Sequence, residues 1–286
     1  MLRIAIPYQE RLKDESVALL DKLGIKLEVS SLDCSLARSN TFPLEVVFVE
    51  NEIIPLLVKE SVVDFGITSE YLVDVLSLSK SLSKILLGFD KASISLFVPA
   101  DVRYKGLEWF SGKVIATDAP DVVQAYMKEH KVRVKVRKIT YNLYNAVDLS
   151  LADAICTKLH FGSYCTDPRL KEVETIAHTE SVLIQSEKIS PQNLLFAEEF
   201  LCRMEAVIIT LGKKRVSLNV QTEMLDKVLA IMPCLRSPKI YHYHSDPNFV
   251  SVSAVMDEVR FWDIKDKLKE LGVREIMITD IEKIIF

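Results

Sequence analysis

Short runs of β-branched residues alternate with amphipathic stretches through the first two-thirds of the chain. Residues 2–7, 44–49 and 62–67 have the composition of strands, and residues 11–23 and 53–59 have the periodicity of helices. Because strands separated by helices usually pair in parallel through right-handed crossovers, this order predicts a mainly parallel α/β sheet. Ligands of such sheets lie beyond the carboxyl ends of the strands, so the segments after residues 7, 49 and 67 are the expected place of a site.

A second α/β unit is predicted from residue 93 onward. Its strand-like segments are residues 94–99, 114–117, 132–139 and 152–156, with a helix at residues 121–129. Strand patterns at residues 173–175 and 181–185 and a helix at residues 190–207 then return the chain to the first unit. We therefore expect two lobes, the first formed by residues 1–92 and 175–212 and the second by residues 93–174.

The last part of the chain has the element order of a ferredoxin-like domain. Strand patterns at residues 215–220, 239–244, 250–256 and 275–280 alternate with helical patterns at residues 222–231 and 257–271. This βαββαβ order predicts that residues 213–286 form a separate small domain. Such sheets leave edge strands open to pairing, which favours a regulatory or oligomer-forming role.

The composition argues against several classes of function. Only 8 of the 286 residues are glycine, and their spacing matches neither the Rossmann nor the P-loop fingerprint. The net charge of −4 argues against broad binding to nucleic acids or anionic membranes, which requires a basic surface. The N-terminus lacks the pattern of a signal peptide, and no apolar run is long enough to span a bilayer. We therefore expect a cytoplasmic protein with neither nucleic-acid nor membrane partners.

Several other features have an ordinary structural interpretation that outweighs a functional one. The five cysteines (Cys34, Cys156, Cys165, Cys202 and Cys234) are scattered without a C-x-x-C pair, so we expect reduced and mostly buried thiols. A nucleophilic pairing of Cys156 or Cys165 with His160 is the weaker alternative. The basic stretch at residues 128–138 is interpreted as a solvated strand face rather than an anion-binding surface. His242 and His244 lack a third ligand nearby and are interpreted as an exposed pair rather than a metal site.

Six segments along the chain resemble the long form of ATP phosphoribosyltransferase. In order they are Leu2-Arg-Ile-Ala-Ile-Pro7, Val63-Asp-Phe-Gly-Ile-Thr68, Leu87-Gly-Phe89, Leu151-Ala-Asp-Ala-Ile155, Leu170-Lys-Glu-Val-Glu174 and Ile281-Glu-Lys-Ile-Ile285. The resemblance covers the whole chain. It implies two periplasmic-binding-protein-like α/β lobes followed by a C-terminal ferredoxin-like regulatory domain.

The same resemblance implies the first step of histidine biosynthesis, in which ATP and phosphoribosyl pyrophosphate give phosphoribosyl-ATP and pyrophosphate. It implies Mg²⁺ as the cofactor if the chain is active, histidine as an effector, and dimers that assemble into hexamers. No protein-built metal site is expected. The positions that it places in substrate contact are Arg11, Asp64, Glu70, Lys91, Asp153, Gly162 and Ser163.

The sequence departs from the family pattern at the loops that face the ligands. The family has an acidic residue followed by a Thr-Gly-Thr-Thr-like phosphate loop after its Ala-Asp-Ala-Ile strand. Here Thr157 stands in place of the acid, His160 and Phe161 replace hydroxyl residues, and Tyr164 replaces a small one. Gln9-Glu10-Arg11 stands where the family usually has Lys-Gly-Arg, which brings a carboxylate to a site meant for anions. The family's Gly-Ser-x-Glu segment becomes Tyr141-Asn-Leu-Tyr144, and Ser69 replaces a glycine.

These departures leave two functions open. The first is a divergent phosphoribosyltransferase that works with substituted contacts. The second is a catalytically silent paralogue that kept the fold and acts as a receptor for a nucleotide or another small anion, or assembles with an active paralogue. Function has to be argued from the site rather than the fold, and the losses at the ligand-facing loops favour the silent paralogue.

Overall fold

The computed structural model describes residues 1–8, 10–28, 35–76, 78, 82–139, 142–163, 165, 167–244 and 246–285, with Glu10 described by its backbone only. The chain divides into two compact units, Met1–Ala197 and Glu198–Phe286. Each unit is an α/β arrangement, as the element order of the sequence predicts. The limits of the two lobes and the C-terminal domain stay predictions.

In the part of the chain that the structure describes, the first unit contains twelve strands and four complete α-helices. They are β1 (Leu2–Pro7), α1 (Glu10–Lys22), β2 (Leu27–Glu28), β3 (Leu36–Ser39), β4 (Leu44–Val49), α2 (Ile54–Lys59), β5 (Phe65–Ser69), α3 (Glu70–Val75), β6 (Ser83–Leu86), β7 (Ala92–Pro99), β8 (Val114–Thr117), α4 (Pro120–Glu129), β9 (Lys135–Lys138), β10 (Ala154–His160), β11 (Leu170–Thr179) and β12 (Ser181–Gln185).

The larger sheet of this unit has the strand order β2-β3-β4-β1-β5-β12-β6. Only its centre is parallel, because β1 pairs in parallel with β4 and β5. The other pairings, including β12 with β5 and β6, are antiparallel. The prediction of a mainly parallel sheet is therefore right for the three central strands and wrong for the flanks. The flanking strands β2, β3 and β6 are short and largely polar, so their composition gives little strand signal.

The second sheet has the order β11-β7-β10-β8-β9. Here β10 lies between the antiparallel β7 and the parallel β8. Strand β10 extends four residues beyond the predicted 152–156 segment, since the pairing with β7 continues to His160 opposite Ala92. Strand β9 is shorter than predicted, and β11 is longer because it follows β7 to Thr179 opposite Ala92. Helix α4 covers one face and buries Val122, Val123 and Met127.

The second unit follows α5 (Leu194–Ile208), a helix that runs across the boundary of the two units. Its remaining elements are β13 (Lys213–Gln221), α6 (Leu225–Ile231), β14 (Lys239–His242), β15 (Phe249–Asp257), α7 (Glu258–Glu270) and β16 (Arg274–Asp280). The strand order β14-β15-β13-β16 is fully antiparallel. This is the ferredoxin-like plan that the element order predicts.

Strict alternation along β13 and β15 builds the core of the second unit. Every second residue of β15, from Val250 to Met256, is buried, and Phe261 and Leu268 of α7 pack against that face. The opposite face of the sheet carries the serines and charged residues of the same strands. None of the helices in the described ranges is long and apolar enough to cross a membrane.

Candidate functional site

Polar side chains meet at the carboxyl ends of β4 and β5, where the sheet topology predicts a site. The buried Asn51 accepts a hydrogen bond from the Thr68 hydroxyl (2.7 Å) and donates one to the Ser69 hydroxyl (3.0 Å). Each of these three residues is less than a tenth exposed. The hydrogen bonds hold the end of β5 in a fixed conformation, and Glu70 follows directly.

Glu70 is held by a basic partner and by the backbone. Its Oε1 accepts a hydrogen bond from Lys84 Nζ (2.8 Å), and its backbone amide donates to the carbonyl of Glu180 (2.8 Å). The hydrogen bond to Glu70 raises the pKa of Lys84 above its ordinary value. The side chain of Glu70 is therefore already neutralised by a cation of β6.

A buried carboxylate, Asp90, gathers three basic side chains and forms what we call the Asp90 cluster (Arg11, Asp90, Lys158 and His160). The ammonium of Lys158 donates a hydrogen bond to Asp90 Oδ2. His160 Nδ1 lies 3.1 Å and Arg11 Nε 4.0 Å from Asp90 Oδ1. Neither Asp90 Oδ1 nor His160 Nδ1 has a hydrogen-bond partner in the described part of the chain, so the 3.1 Å contact lacks the geometry of a hydrogen bond.

The two β10 members of the cluster point the same way because of strand alternation. Lys158 and His160 are two residues apart, which places both side chains on one face of the strand. Burial lowers the pKa of His160 below its ordinary value, and the charges of Lys158 and Arg11 lower it further, while Asp90 offsets part of this effect. The imidazole of His160 is therefore neutral at pH 7. The other basic member of the cluster, Arg11, has a second acidic neighbour, because its Nε lies 3.5 Å from Glu15 Oε1.

The turn after β10, residues 161–163, is where the sequence resemblance predicts the phosphate loop. The amide of Phe161 donates to the carbonyl of Lys91 (2.7 Å), and the amide of Ser163 donates to the carbonyl of His160 (2.8 Å). Gly162 has φ +80°, a backbone conformation that favours glycine. The Phe161 ring is 89% exposed at the tip of the turn. Two of the three backbone donors of the turn are therefore already used within the protein.

A cavity of about 460 Å³ connects this turn with the end of β5. Its lining includes four of the predicted site residues, Glu70, Lys91, Gly162 and Ser163. His178 and Glu180 also line it, and Glu180 Oε2 lies 3.8 Å from Lys91 Nζ. The structure thus brings these four residues together, with Arg11 linked to the same region through Asp90.

Asp64 and Asp153 lie at the opposite ends of their strands. Asp64 immediately precedes β5, and its Oδ2 accepts the amide of Arg3 (2.8 Å). Asp153 immediately precedes β10, and its Oδ2 accepts the amide of Val114 (2.8 Å). Each carboxylate therefore has a local structural partner, and the structure does not bring either of them to the cavity at the other ends of β5 and β10.

A second acid with a buried carboxyl oxygen, Asp118, lies at the carboxyl end of β8, at the start of α4. Burial raises the pKa of Asp118 above its ordinary value, while its backbone hydrogen bond and the charge of Lys158 partly offset the effect. Its Oδ1 is buried without a hydrogen-bond partner in the described residues. Burial also raises the pKa of Tyr71, with Asp118 and Glu52 as its first two charged neighbours.

Several site interpretations of the sequence fall on residues outside the described ranges. Gln9, Tyr141 and Tyr164 are among these, as is Cys34. The four described cysteines are free, but only Cys156 is buried, so the expectation of mostly buried thiols is wrong for this set. Burial raises the pKa of Cys156 above its ordinary value, which disfavours the thiolate.

The remaining candidates of the sequence lie at exposed positions. In the basic stretch, residues 135–138 form β9, the edge of the second sheet, and Lys135, Arg137 and Lys138 are exposed. His242 ends β14, and both His242 and His244 are exposed. In the described ranges, no group of three or more His, Cys, Asp and Glu side chains is arranged to hold a metal ion. The residues present therefore do not offer Mg²⁺ a site built from protein ligands alone.

Sequence reasoning missed Asp90 and the contacts that Lys158 makes with it. The spacing of Lys158 and His160 could have indicated their proximity. Both side chains share a face once β10 is extended to His160. Asp90 gave no comparable signal, since it lies in a turn between β6 and β7 with φ +53°. Aspartate tolerates this conformation better than most residues.

Comparison with known proteins agrees with this architecture. The family model for ATP phosphoribosyltransferase (HisG) matches residues 50–206, and the model for the HisG C-terminal domain matches residues 211–283. The ATP phosphoribosyltransferases of Bacteroides fragilis and Parabacteroides distasonis are each 38% identical to this chain over 285 residues, with 100% of both chains covered. That of Cytophaga hutchinsonii is 32% identical, covering 100% of this chain and 99% of its own.

A solved structure supports the same fold. The ATP phosphoribosyl transferase (HisG:HisZ) complex from Thermotoga maritima matches with a TM-score of 0.60 and 18% identity, covering 71% of this chain and 96% of its own. The predicted fold class, with periplasmic-binding-protein-like lobes and a ferredoxin-like C-terminal domain, is confirmed. From the two family models and the full-length relatives, we conclude that this chain belongs to the ATP phosphoribosyltransferase family.

Proposed function

We propose that this chain is a catalytically silent member of its family that serves the first step of histidine biosynthesis as a binding or regulatory subunit. The single observation behind the proposal is the Asp90 cluster, in which a buried carboxylate is paired with the basic groups beside the expected phosphate loop. The chain keeps a cavity for a small ligand and a C-terminal domain for regulation or assembly.

Charge balance is the first argument for lost transfer activity. Displacement of pyrophosphate requires cations that stabilise the charge building on the leaving group. In the cluster, Lys158 is paired with Asp90, and Arg11 lies between Asp90 and Glu15. With a neutral His160, the two positive charges of Lys158 and Arg11 are balanced by Asp90 in the cluster and by Glu15 beside it.

The backbone of the turn is the second argument. A phosphate is normally held by free N–H groups at a strand-to-helix turn. The amides of Phe161 and Ser163 already donate to Lys91 and His160. Thr157, at the position of the family's acid, is buried in β10 rather than presented to a ligand.

Pyrophosphate release from ATP and phosphoribosyl pyrophosphate in the presence of Mg²⁺ tests the proposal. The Bacteroides fragilis relative, assayed in parallel, is the matched control because it covers the whole chain. We expect turnover at least about 10³-fold below that of the control, since losing even one electrostatic contact to the transition state typically costs 10²–10³-fold. Turnover within tenfold of the control would overturn the proposal.

A variant of the cluster gives an independent test. Asp90→Asn removes the carboxylate that neutralises Lys158 and Arg11, so the proposal expects the variant to bind inorganic phosphate more tightly than the wild-type chain. Glu187→Gln makes the same type of change at an exposed carboxylate that has no ion pair within the described residues. If the affinity for inorganic phosphate rises in both variants, or in neither, the assigned role of Asp90 is contradicted.

The transfer reaction itself is the second candidate function. The observation that favours it is the 38% identity to full-length ATP phosphoribosyltransferases. In that case the four cavity residues Glu70, Lys91, Gly162 and Ser163 are the expected substrate contacts, with Arg11 beside them. The same pyrophosphate assay decides between the two functions.

Assembly is part of the proposal as well. The similar structure from Thermotoga maritima is a complex of two proteins, HisG and HisZ. We propose that this chain likewise assembles, with copies of itself or with an active paralogue. Sedimentation of the purified chain as a dimer or hexamer would support self-assembly, and a monomer at micromolar concentration would contradict it.

A further inference from the structure

Another cavity of about 460 Å³ lies in the first unit, at the end of the second sheet where β8 and β10 begin and β7 ends. The turn at residues 161–163 follows β10, so the cavity beside Glu70 is at the other end of this strand. The polar and aromatic side chains of the lining are Trp109, Lys113, Arg137, Ser150 and Asp153. We call this space the Trp109 cavity.

The ring of Trp109 is held in a fixed orientation by its neighbours. Trp109 lies in the short 3-10 turn Leu107–Phe110, and the ring of Phe110 is fully buried beneath the second sheet. The two rings meet edge to face with their centroids 5.1 Å apart. Lys113 Nζ lies 4.5 Å from the centroid of the Trp109 ring. The indole, which is partly buried, therefore offers the cavity a planar apolar surface that is already ordered.

The one carboxylate of the lining already has its partners. Asp153 Oδ2 accepts a hydrogen bond from the amide of Val114 (2.8 Å), and its Oδ1 lies 3.8 Å from Lys113 Nζ. The charges of Lys113 and Asp153 thus offset each other. Because of this, the cavity does not require a cationic group from a ligand.

Arg137 is the charged side chain of the lining that is left over. One of its N–H groups donates to the carbonyl of Leu151, which fixes the guanidinium against the segment at residues 147–151. No carboxylate of the described residues forms an ion pair with Arg137. A guanidinium has five N–H donors in a planar fork, so most of its donors are available to a bound anion.

The strand that carries Arg137 adds to the positive potential at the cavity. Strand β9 is the edge of the second sheet, and Lys135 and Lys138 on it are exposed and make no ion pair within the described ranges. In a chain of net charge −4, such a local group of cations attracts small anions.

We propose that the Trp109 cavity binds a planar aromatic carboxylate. The ring of the ligand packs against Trp109 and the apolar wall that Val102 and Val147 contribute, and its carboxylate accepts paired hydrogen bonds from Arg137. The volume lies in the usual range of small-molecule sites. One unpaired guanidinium balances the single charge of a carboxylate. A doubly charged phosphate ester would be only half compensated, and an amine would find no free acidic partner.

This inference goes beyond the proposed function, since it concerns the opposite end of β10 and a different assay. The test is isothermal titration of the full-length chain with 4-hydroxybenzoate as the probe. In parallel, 4-hydroxybenzamide keeps the ring without the charge, cyclohexanecarboxylate keeps the charge without the aromatic ring, and inorganic phosphate lacks the organic part. We expect 4-hydroxybenzoate to bind more tightly than each of the other three, and its binding to weaken as the salt concentration rises.

Two variants, each with a matched control, locate the site. Arg137→Gln should weaken the binding of 4-hydroxybenzoate about tenfold or more, as expected for hydrogen bonds between charged groups. Arg133→Gln removes the same charge from an exposed position that does not line the cavity, and should change the affinity by less than twofold. Trp109→Leu should weaken binding by about threefold or more through the lost ring contact. Trp262→Leu, on α7 of the second unit, should have no effect.

Unchanged melting temperatures show that the variants remain folded. The proposal is overturned if 4-hydroxybenzoate does not bind at millimolar concentration, or if the benzamide, cyclohexanecarboxylate or inorganic phosphate binds as tightly. Equal effects of a cavity variant and its control would also overturn it. A loss of binding in Lys91→Gln that Arg137→Gln does not share would place the probe in the cavity beside Glu70 and contradict the proposal as well. None of these results affects the pyrophosphate assay of the proposed function.

Discussion

The ammonium of Lys158 contacts the carboxylate of Asp90, a side chain that is 1% exposed, while Lys158 itself is 19% exposed. This pair joins β10 to the turn before β7. A buried charge that loses its partner is strongly destabilising, whereas a complete pair is close to neutral. The Lys158–Asp90 contact therefore has two effects. It neutralises a cation near the expected phosphate site, and it stabilises the second sheet.

Lys158→Met is therefore expected to lower the free energy of unfolding by about 3 kcal/mol, because it leaves the Asp90 carboxylate buried without its nearest cation. Chemical denaturation monitored by far-UV circular dichroism measures the change. Lys91→Met is the control, since Lys91 is 59% exposed, lies 3.8 Å from Glu180, and should lose less than about 1 kcal/mol. A similar loss in both variants would contradict the role of the buried pair.

Stability is expected to fall as the pH drops below about 6.5, and His160 should account for part of the loss. Burial lowers the pKa of His160 in the folded chain, so the unfolded chain, with an ordinary value near 6.5, takes up the proton first. The stability that the neutral His160 contributes is fully present above about pH 6.5. It is lost as the pH falls from the pKa of His160 in the unfolded chain to its lower pKa in the folded chain.

Denaturation of the wild-type chain and His160→Gln between pH 7.5 and 5.5 measures this contribution. The variant should show a shallower decline, because glutamine does not titrate. His242→Gln, at an exposed position of β14, should keep the wild-type slope. Equal slopes for all three chains would exclude His160 as the source.

Asp118→Asn is expected to raise the free energy of unfolding at pH 7 by about 1 kcal/mol. Burial raises the pKa of Asp118 and one of its oxygens is buried without a partner in the described part of the chain, so the charged form is costly in the folded state. The advantage of the variant should vanish as the pH falls and the wild-type carboxyl takes up its proton. A variant that is less stable at pH 7 would indicate that the carboxylate has a stabilising partner.

Gly66→Ala is expected to destabilise the chain by about 1–3 kcal/mol through overpacking between β5 and α2. A Cβ at this position would lie 2.5 Å from Ile54 Cγ2 and 2.8 Å from Val58 Cγ2. Ile54→Ala in the same chain removes the closer contact, so the double variant should lose less stability than the sum of the two single ones. Strict additivity in urea denaturation would show that the two positions do not conflict.

The sequence predicts the fold better than it predicts the site. The ferredoxin-like order of residues 213–286 is readable because buried apolar residues occupy every second position of β13 from Val216 to Val220 and of β15 from Val250 to Met256. Asp64 has apolar residues on both sides, so periodicity does not define where the strand begins. The pattern predicts the strand at residues 62–67, whereas the structure has it at Phe65–Ser69, with Asp64 before it and Glu70 after it.

Long-range pairings explain the rest of the difference. The extension of β10 to His160 depends on β7, and the partner of Lys158 is 68 residues away in a turn. A local pattern does not contain such contacts. The family resemblance identifies the turn at residues 161–163 as the segment that departs from the family's phosphate loop. It does not reveal the ion pair beside that turn, because no sequence pattern points to Asp90.

Strand β12 has a consequence for how the chain is assembled during synthesis. It lies between β5 and β6 in the larger sheet, although β5 precedes it by more than a hundred residues. The larger sheet therefore stays incomplete until the whole second sheet has left the ribosome, with the edges of β5 and β6 unpaired in the interval. Pairings at such separation are slow to form and leave edges open to aggregation. Yield in a heterologous host should accordingly depend on synthesis rate and chaperone supply more than on final stability.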